Sequence, residues 1–458
     1  MTERFEIVEK AIRKMMDDKK YTTARALLET MNAADIAAVI VRLEQQKIPL
    51  LFRLLPKELA AETFVEMENE DQELLIRGFS DNELKEILDE LFVDDAVDLV
   101  EEMPANVVKR ILKQADPEMR KTINQILRYP ENSAGSLMTT EYVSLRPDMT
   151  VGESILRIRR QGVDKETIYT CYVTADRRLV GLITVKELLL AESDDILIRD
   201  IMLTNLISVS THTDQEEVAR MLARYDFLAL PVVDGENRMV GIVTFDDAID
   251  VLEEETTEDM EIMGGMLPSE RSYMKSSVWA LFKNRIPWLM LLMVTATFTG
   301  MIITAFEGAL AAQVALTAFI PMLMGTGGNS GSQSSVTVIR ALSLDEVRPR
   351  DLFAVLWKEL RTSVLCGVVL AAVCFVKVLL VDGRLLHNSA ITVTVSLVVC
   401  LALLVTVITA KLIGAVLPLA AKAIKLDPAV MASPFITSIV DAVSLLVYFM
   451  FAKMLLGV

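Results

Sequence analysis

Residues 286 to 306 form a run of 21 without a charged side chain, long enough at ~1.5 Å per residue to cross the ~30 Å hydrocarbon core of a bilayer. Four more apolar stretches follow. They are Gly308 to Ile339; Thr362 to Val376, continued past Lys377 by VLLV; Leu385 to Ala410; and Pro428 to Ala452, broken only by Asp441. The rest of the chain belongs to another solvent. Of the overall net charge of -17, residues 1 to 280 carry -22 and residues 281 to 458 carry +5. Such a shift in composition marks a boundary between water and lipid and argues against one soluble globular enzyme. An acidic soluble portion also repels phosphates, so nucleic acid is not an expected partner.

Four cysteines with no CxxC pair and only two histidines, His212 and His387, leave no sulfur or imidazole framework of disulfide or zinc type. A metal bound here is expected to use oxygen ligands. No GxSxG motif or P-loop occurs, and an enzyme is not expected.

Five spans put the termini on opposite sides of the membrane. Arg340, Arg348, Arg350, Lys358 and Arg361 lie in one loop region, and Lys422 and Lys425 in another on the same side. The opposite loops offer Glu307 and Asp382 with Arg384. The excess of basic residues places residues 1 to 280 in the cytoplasm and the C-terminus outside. The N-terminus has no signal-peptide core, in keeping with that side.

Asp441 lies mid-span, where a lone carboxylate costs on the order of 3 kcal/mol. Thr437, Ser438 and Ser444 share its helical face. This stripe reads as a cation site on a wet path, the alternative being an ion pair with Lys411. The second stretch contains GTGGNSGSQSS, residues 325–335, with a Gly327/Gly331 GxxxG spacing suited to close helix packing. Packing does not require Asn329, Gln333 and the serines, whereas a pore wall does.

Residues 1 to 130 read as short amphipathic helices, among them ADIAAVIVRLEQQ, KELAAETFVEME, NELKEILDELF and DDAVDLVEEM, stopped at LPKE, SDNE, MPAN and ADPE. Their repetition predicts a small helical solenoid. An internal duplication follows: Met138 and Met202 begin two units, and Gly181–Thr184 and Gly241–Thr244 end them. Each unit reads strand, helix, strand, strand, helix. The GhhT endings resemble tandem CBS domains, which implies ligand sensing, commonly of adenine nucleotides; Asp247 stands where that family often binds ribose, and the first unit has Glu187 there. Whether ATP binds is left open.

The order of parts, with YPENSAGSLMT, TDQEEVAR, GIVTFDDAIDVLEEE, GTGGNSGSQSS and DPAVMASPFITSIVDAVSLLVYF, resembles the MgtE family of magnesium transporters over essentially the whole chain. The resemblance implies a multidomain membrane protein. Its parts are an α-helical N-terminal superhelical domain (1–132), α/β tandem CBS domains (133–199 and 200–255), a connecting, plug-like helix (256–280) and a five-helix transmembrane domain (281–458). It implies a homodimer in the plasma membrane with a pore on its two-fold axis. Mg²⁺ would pass Asp441, with Gly328, Asn329, Asp427 and Thr437 nearby. Ser332 and Thr437 depart from the family's Asn and small Ala-like residue. The resemblance further implies closure by cytoplasmic Mg²⁺ at Glu62, Asp94 and Asp98, at Asp214, Glu216, Asp226, Asp247 and Asp250, and at Glu255, Glu258 and Asp259. A nucleotide-regulated secondary transporter or channel for another cation is the alternative.

Overall fold

The computed structural model describes residues 2–269, 273–274, 276–385 and 391–457. His387, residues 386–390 of the fourth apolar stretch, and residues 270–272 and 275 of the expected connecting helix lie outside the described residues. The chain forms two compact units, Met1–Leu252 and Glu253–Val458.

The first unit begins with short helices from Thr2–Asp17 to Pro117–Ile126. Two of the expected stops supply side-chain caps. Ser80 Oγ accepts from the Glu83 N–H while Glu83 Oε2 accepts from the Ser80 N–H, at 3.3 and 2.7 Å, and Asp116 caps the Pro117–Ile126 helix. Each helix is too short to stand alone. They hold together by burying residues such as Ile36, Phe64, Leu88 and Val97 in one continuous core.

The duplicated region gives two three-stranded sheets, β1 (Tyr142–Leu145), β2 (Thr167–Ala175) and β3 (Arg178–Thr184), then β4 (Val209–Ser210), β5 (Ala229–Val233) and β6 (Met239–Thr244). In each, the first strand is parallel to the second and the second antiparallel to the third. The expected element order is present in both halves. The repeat in space, however, is offset from the repeat in sequence. Thr139, beside Met138 of the first unit, exchanges backbone hydrogen bonds of 2.8 and 2.9 Å with Ile242 of β6, and Leu203, beside Met202, does the same with Leu182 of β3. The GhhT glycines permit this crossing, since a side chain at Gly241 would fall 2.6 Å from the Thr139 carbonyl.

The last CBS helix does not stop at the unit boundary. It runs from Phe245 to Met263, and the next described helix begins at Val278. The connecting helix expected over 256–280 therefore ends at Met263, where Gly265 at φ +73° breaks it in the left-handed region that favours glycine.

Among the described residues of the second unit, four segments are long and apolar enough to cross a membrane: Val278–Ala305, Pro349–Leu385, Val393–Ala423 and Pro428–Leu456. The expected second span is not among them. Its first residues form a short helix, Glu307–Ala312, and a 3₁₀ segment, Val314–Phe319; only then does a helix run from Ile320 to Ser343. Its glycine, serine, asparagine and glutamine content dilutes its hydropathy, although its 24 residues reach ~36 Å. The cost of glycine in a helix does not break it, because neighbouring helices fill the space that its missing side chains leave.

Candidate functional site

The glycine-rich helix Ile320–Ser343 packs against the Val393–Ala423 helix and the Ser433–Leu456 helix, which carries Asp441. A side chain at Gly327 would lie 2.7 Å from Ser444 Oγ and 2.8 Å from a Thr406 methyl carbon; one at Gly331 would lie 2.9 Å from Ile436 and 3.2 Å from the Ala410 carbonyl. Gly414 approaches the Gly331 backbone so closely that any side chain there would collide with it. The GxxxG expectation is met by these contacts.

The same helix sorts its polar residues. Ser330, Ser334 and Ser335 are buried: Ser334 Oγ donates to Glu359 Oε2 at 2.7 Å and Ser335 Oγ to the Met431 carbonyl at 3.0 Å. Interhelical bonds thus explain Ser334 and Ser335, and the pore-wall reading of those two is corrected. Asn329 and Gln333, four residues apart, remain exposed on one face.

Gly328 faces Thr437, whose methyl carbon would lie 2.9 Å from a side chain at Gly328, one helical turn before Asp441. The Asp441 side chain is half-buried, and its Oδ1 is shut from solvent with no hydrogen-bond donor among the described residues. No ion pair joins it to Lys411, which is itself 6% exposed on the Val393–Ala423 helix. An unsatisfied carboxylate oxygen on an apolar helix is costly.

Asp427 is exposed and caps the turn Pro428–Met431 through the Ala429 N–H at 2.8 Å. Glu258 has its carboxyl pushed above the ordinary range by partial burial and by the charges of Glu255 and Asp427. Asp259 lies on the same helix. Beyond it, Leu267 N–H donates to the Asn284 carbonyl at 3.0 Å and Gly265 seats against the Trp288 indole, so the end of the acidic helix is fastened to the first apolar helix.

In the N-terminal unit a second group of carboxylates converges. Asp94, Asp95 and Asp98 on the Val93–Glu102 helix meet Asp246, Asp247 and Asp250 on the Phe245–Met263 helix and Glu141 and Glu166 near β1 and β2. Burial first, and then the charge of Asp247, lifts Asp94 well above the carboxylate range. The same two causes push Asp95 up to about 7 and Asp98 to about 8, though the Asp98 side chain keeps solvent contact. Burial and the neighbouring acids raise Glu166 to about 8. Asp247 rises to about 6 by burial, partly offset by the hydrogen bond it accepts from Thr244 Oγ1. No lysine or arginine is ion-paired with Asp94, Asp95, Asp98, Glu166 or Asp247 among the described residues.

Other expected acids do not join this group. Asp214 caps the Gln215–Tyr225 helix, Glu216 pairs with Arg220, and Asp226 ends that helix at φ +54°. Glu62 is exposed on its own helix. The sequence reading missed Asp95, Glu141 and Glu166, for which no spacing signal exists. Among the described residues no three His, Cys, Asp or Glu side chains stand ready to chelate a metal directly. Hard oxygens and a buried Glu166 Oε2 without a donor among the described residues are the chemistry that suits Mg²⁺, an ion that usually keeps several of its waters.

Comparison with known proteins places these features. A family model described as a divalent cation transporter (MgtE) matches residues 320–451, a second for the MgtE intracellular N domain matches 31–132, and the CBS domain model matches 134–194 and 198–254. The chain is 36% identical to the magnesium transporter MgtE of Thermus thermophilus over 437 residues, covering 94% of this chain and 95% of that one. It is 32% identical to the magnesium transporter MgtE of Bacillus subtilis, covering 95% and 94%. Among solved structures, the cytosolic domain of the Mg²⁺ channel MgtE in complex with ATP superposes with a TM-score of 0.51 at 37% identity, over 53% of this chain and 99% of that one. The soluble part of a magnesium transporter does so with 0.51 at 30%, over 55% and 99%.

Proposed function

The chain belongs to the MgtE family of magnesium transporters, multi-pass membrane proteins with a CBS pair, and from this premise we propose that it is a Mg²⁺-selective, channel-like path for passive influx that closes when cytoplasmic Mg²⁺ is high. The observation that carries the reading is the Asp441 Oδ1, buried without a donor one turn from the Gly328–Thr437 contact. The exposed Asn329 and Gln333 support it: polar side chains on a membrane helix need water or another protein surface.

In this reading the glycine-rich helix is the second of five spans, residues 1 to 280 face the cytoplasm and the C-terminus lies outside. Two copies bring their Asp441 carboxylates together around a hydrated Mg²⁺, with Gly328, Asn329 and Thr437 lining the path and Asp427 at its cytoplasmic mouth. Residues 1–132, 133–199, 200–255, 256–280 and 281–458 serve as N-domain, two CBS domains, connecting plug and pore. Mg²⁺ neutralises the Asp94, Asp98, Asp247 and Asp250 group, with Glu62, Asp214, Glu216 and Asp226 as outlying contributors. Glu255, Glu258 and Asp259, on the connecting helix, carry the effect toward the pore. Several weak sites together can supply the ~5.5 kcal/mol of differential binding that a nearly complete gate shift requires. ATP at the CBS pair is a further regulator in this reading, as the relative solved with ATP suggests.

The test is Mg²⁺ flux into liposomes carrying the full chain, measured against internal Mg²⁺ and competing divalent ions. Flux that falls steeply with internal Mg²⁺ and ignores proton and sodium gradients is expected. The second reading, a secondary transporter for another cation, draws on the buried Lys411, which has no ion-pair partner among the described residues and could take part in coupling. Flux driven by a proton or sodium gradient would favour it.

A further inference from the structure

One helix of the first CBS unit carries two arginines that pair with no acid among the described residues. The Val151–Gln161 helix and the loop that leads to it from β1 border a cavity of about 390 Å³, where Arg146, Arg157 and Arg160 face inward with Glu153, Met149 and Leu156. Arg146 pairs with Asp148 at 3.3 Å, both exposed, and Glu153 Oε2 is taken by the Thr150 N–H at 3.0 Å. Arg157 and Arg160 have neither an ion-pair nor a hydrogen-bond partner among the described residues. The Arg157 Nε is also shut from solvent, so its N–H has lost water and gained no acceptor in return. A basic residue in the last turn of a helix often just offsets the helix dipole, and Arg160 fits that account. Arg157, about one turn earlier, and Arg146, before the helix begins, do not. Within residues 1 to 280, which carry -22, such a groove is no by-product of general basicity.

We propose that this groove binds a small, soluble phosphate monoester, at a site separate from the Gly181–Thr184 and Gly241–Thr244 strand ends. Guanidinium forks match the paired oxygens of a phosphate, and a monoester carries a charge of about −2 near neutral pH, the charge that Arg157 and Arg160 leave unanswered. A carboxylate brings one charge and leaves one guanidinium unmet. Met149 and Leu156 give the organic part of the ester an apolar wall. Two such side chains suit a short organic group rather than acyl chains, and the volume lies at the small end of the ~300–1,000 Å³ common to ligand sites. No residue of the cavity belongs to either Gly–Thr strand end or to the helix that follows it. In the first unit that position is closed on itself: Thr184 Oγ1 donates to Glu187 Oε2 at 3.0 Å, and the same oxygen accepts from the Thr184 N–H at 2.8 Å.

The test uses the full-length protein in phosphatidylcholine nanodiscs, free of ATP, titrated with phenyl phosphate and followed by calorimetry. Saturable binding is expected, with benzoate about tenfold weaker or more. Benzoate binding as tightly overturns the phosphate assignment. Arg157→Gln and Arg160→Gln should each weaken binding about tenfold; unchanged affinity in both overturns the site. Arg159→Gln removes the same charge from the same helix, outside the cavity, and should change affinity by less than about twofold. An equal loss there would reduce the groove to a diffuse positive field and overturn it. Nanodiscs that also contain phosphatidic acid, a lipid monoester, separate the sources: phenyl phosphate binding should be undiminished, and competition would overturn a soluble ligand. On the unmutated protein, phenyl phosphate is expected to slow hydrogen exchange in residues 146–161 and not in residues 181–190 or 241–250. Protection at those strand ends instead would move the ligand to the nucleotide position and overturn the groove, independently of any folding defect in the variants.

Discussion

Asp247 on the Phe245–Met263 helix is the strongest electrostatic influence on Asp94 of the Val93–Glu102 helix, although 153 positions separate them in the chain, and both carboxyls are held above their ordinary pKa. The junction between the helical repeats and the CBS pair is therefore built from groups that repel when ionised.

That junction has a pH dependence of defined sign. Carboxyls whose folded pKa lies above the unfolded value contribute stability that is complete below about 4 and is lost as pH rises through about 6 to 8, the range spanned by Asp247, Asp95, Asp98 and Glu166. Hydrogen exchange of residues 93–102 in the full chain, without divalent ions, should accelerate over that range beyond the intrinsic pH effect. Mg²⁺ should restore protection at pH 8 and change little at pH 5.5. Protection that rises with pH would reverse the assignment.

Neutralising Asp247 and Asp250 together to Asn should uncouple the gate. Flux at high internal Mg²⁺ should approach the level seen at low internal Mg²⁺, while flux at low internal Mg²⁺ stays within about twofold of wild type. Normal closure in the liposome assay would remove these acids from the sensor.

Asp441→Asn should separate function from stability. Its Oδ1 has no donor to lose, so relieving a buried charge should leave the unfolding midpoint unchanged or raised. Mg²⁺ flux should fall at least tenfold. Retained flux with normal assembly would dismiss the pore role.

The glycines where the Ile320–Ser343 and Val393–Ala423 helices meet, and those away from that contact, should divide by what surrounds them. Gly414→Ala, or Gly331→Ala, forces backbone or packed side chains apart and should cost about 1–3 kcal/mol or more. Gly325→Ala meets nothing within 4 Å and should stabilise by up to ~1 kcal/mol through helix propensity. Thermal unfolding in one detergent would compare them, and equal effects would contradict the packing described.

Part of the site was legible because it is local. Asp441 stands out as one carboxylate in an apolar run, and the Gly327/Gly331 spacing marks a close-packed face. The Asp94 group was legible only by resemblance, and incompletely: Glu141 and Glu166 carry no periodicity, and only the fold brings their strand ends to Asp95 and Asp247. Asp214, Glu216 and Asp226 look equivalent to Asp247 in composition. In space they serve the ends and face of their own helix.

What the sequence alone determined is the division between water and lipid, since hydropathy and charge act residue by residue and need no partner. It also determined the duplicated CBS units, whose Gly–Thr strand endings are local. Tertiary structure decided which charges meet, that the serines at 334 and 335 bond between helices, and that Gly265 ends the acidic helix against Trp288. Each depends on distances between segments remote in the chain, and those are set only when side chains pack.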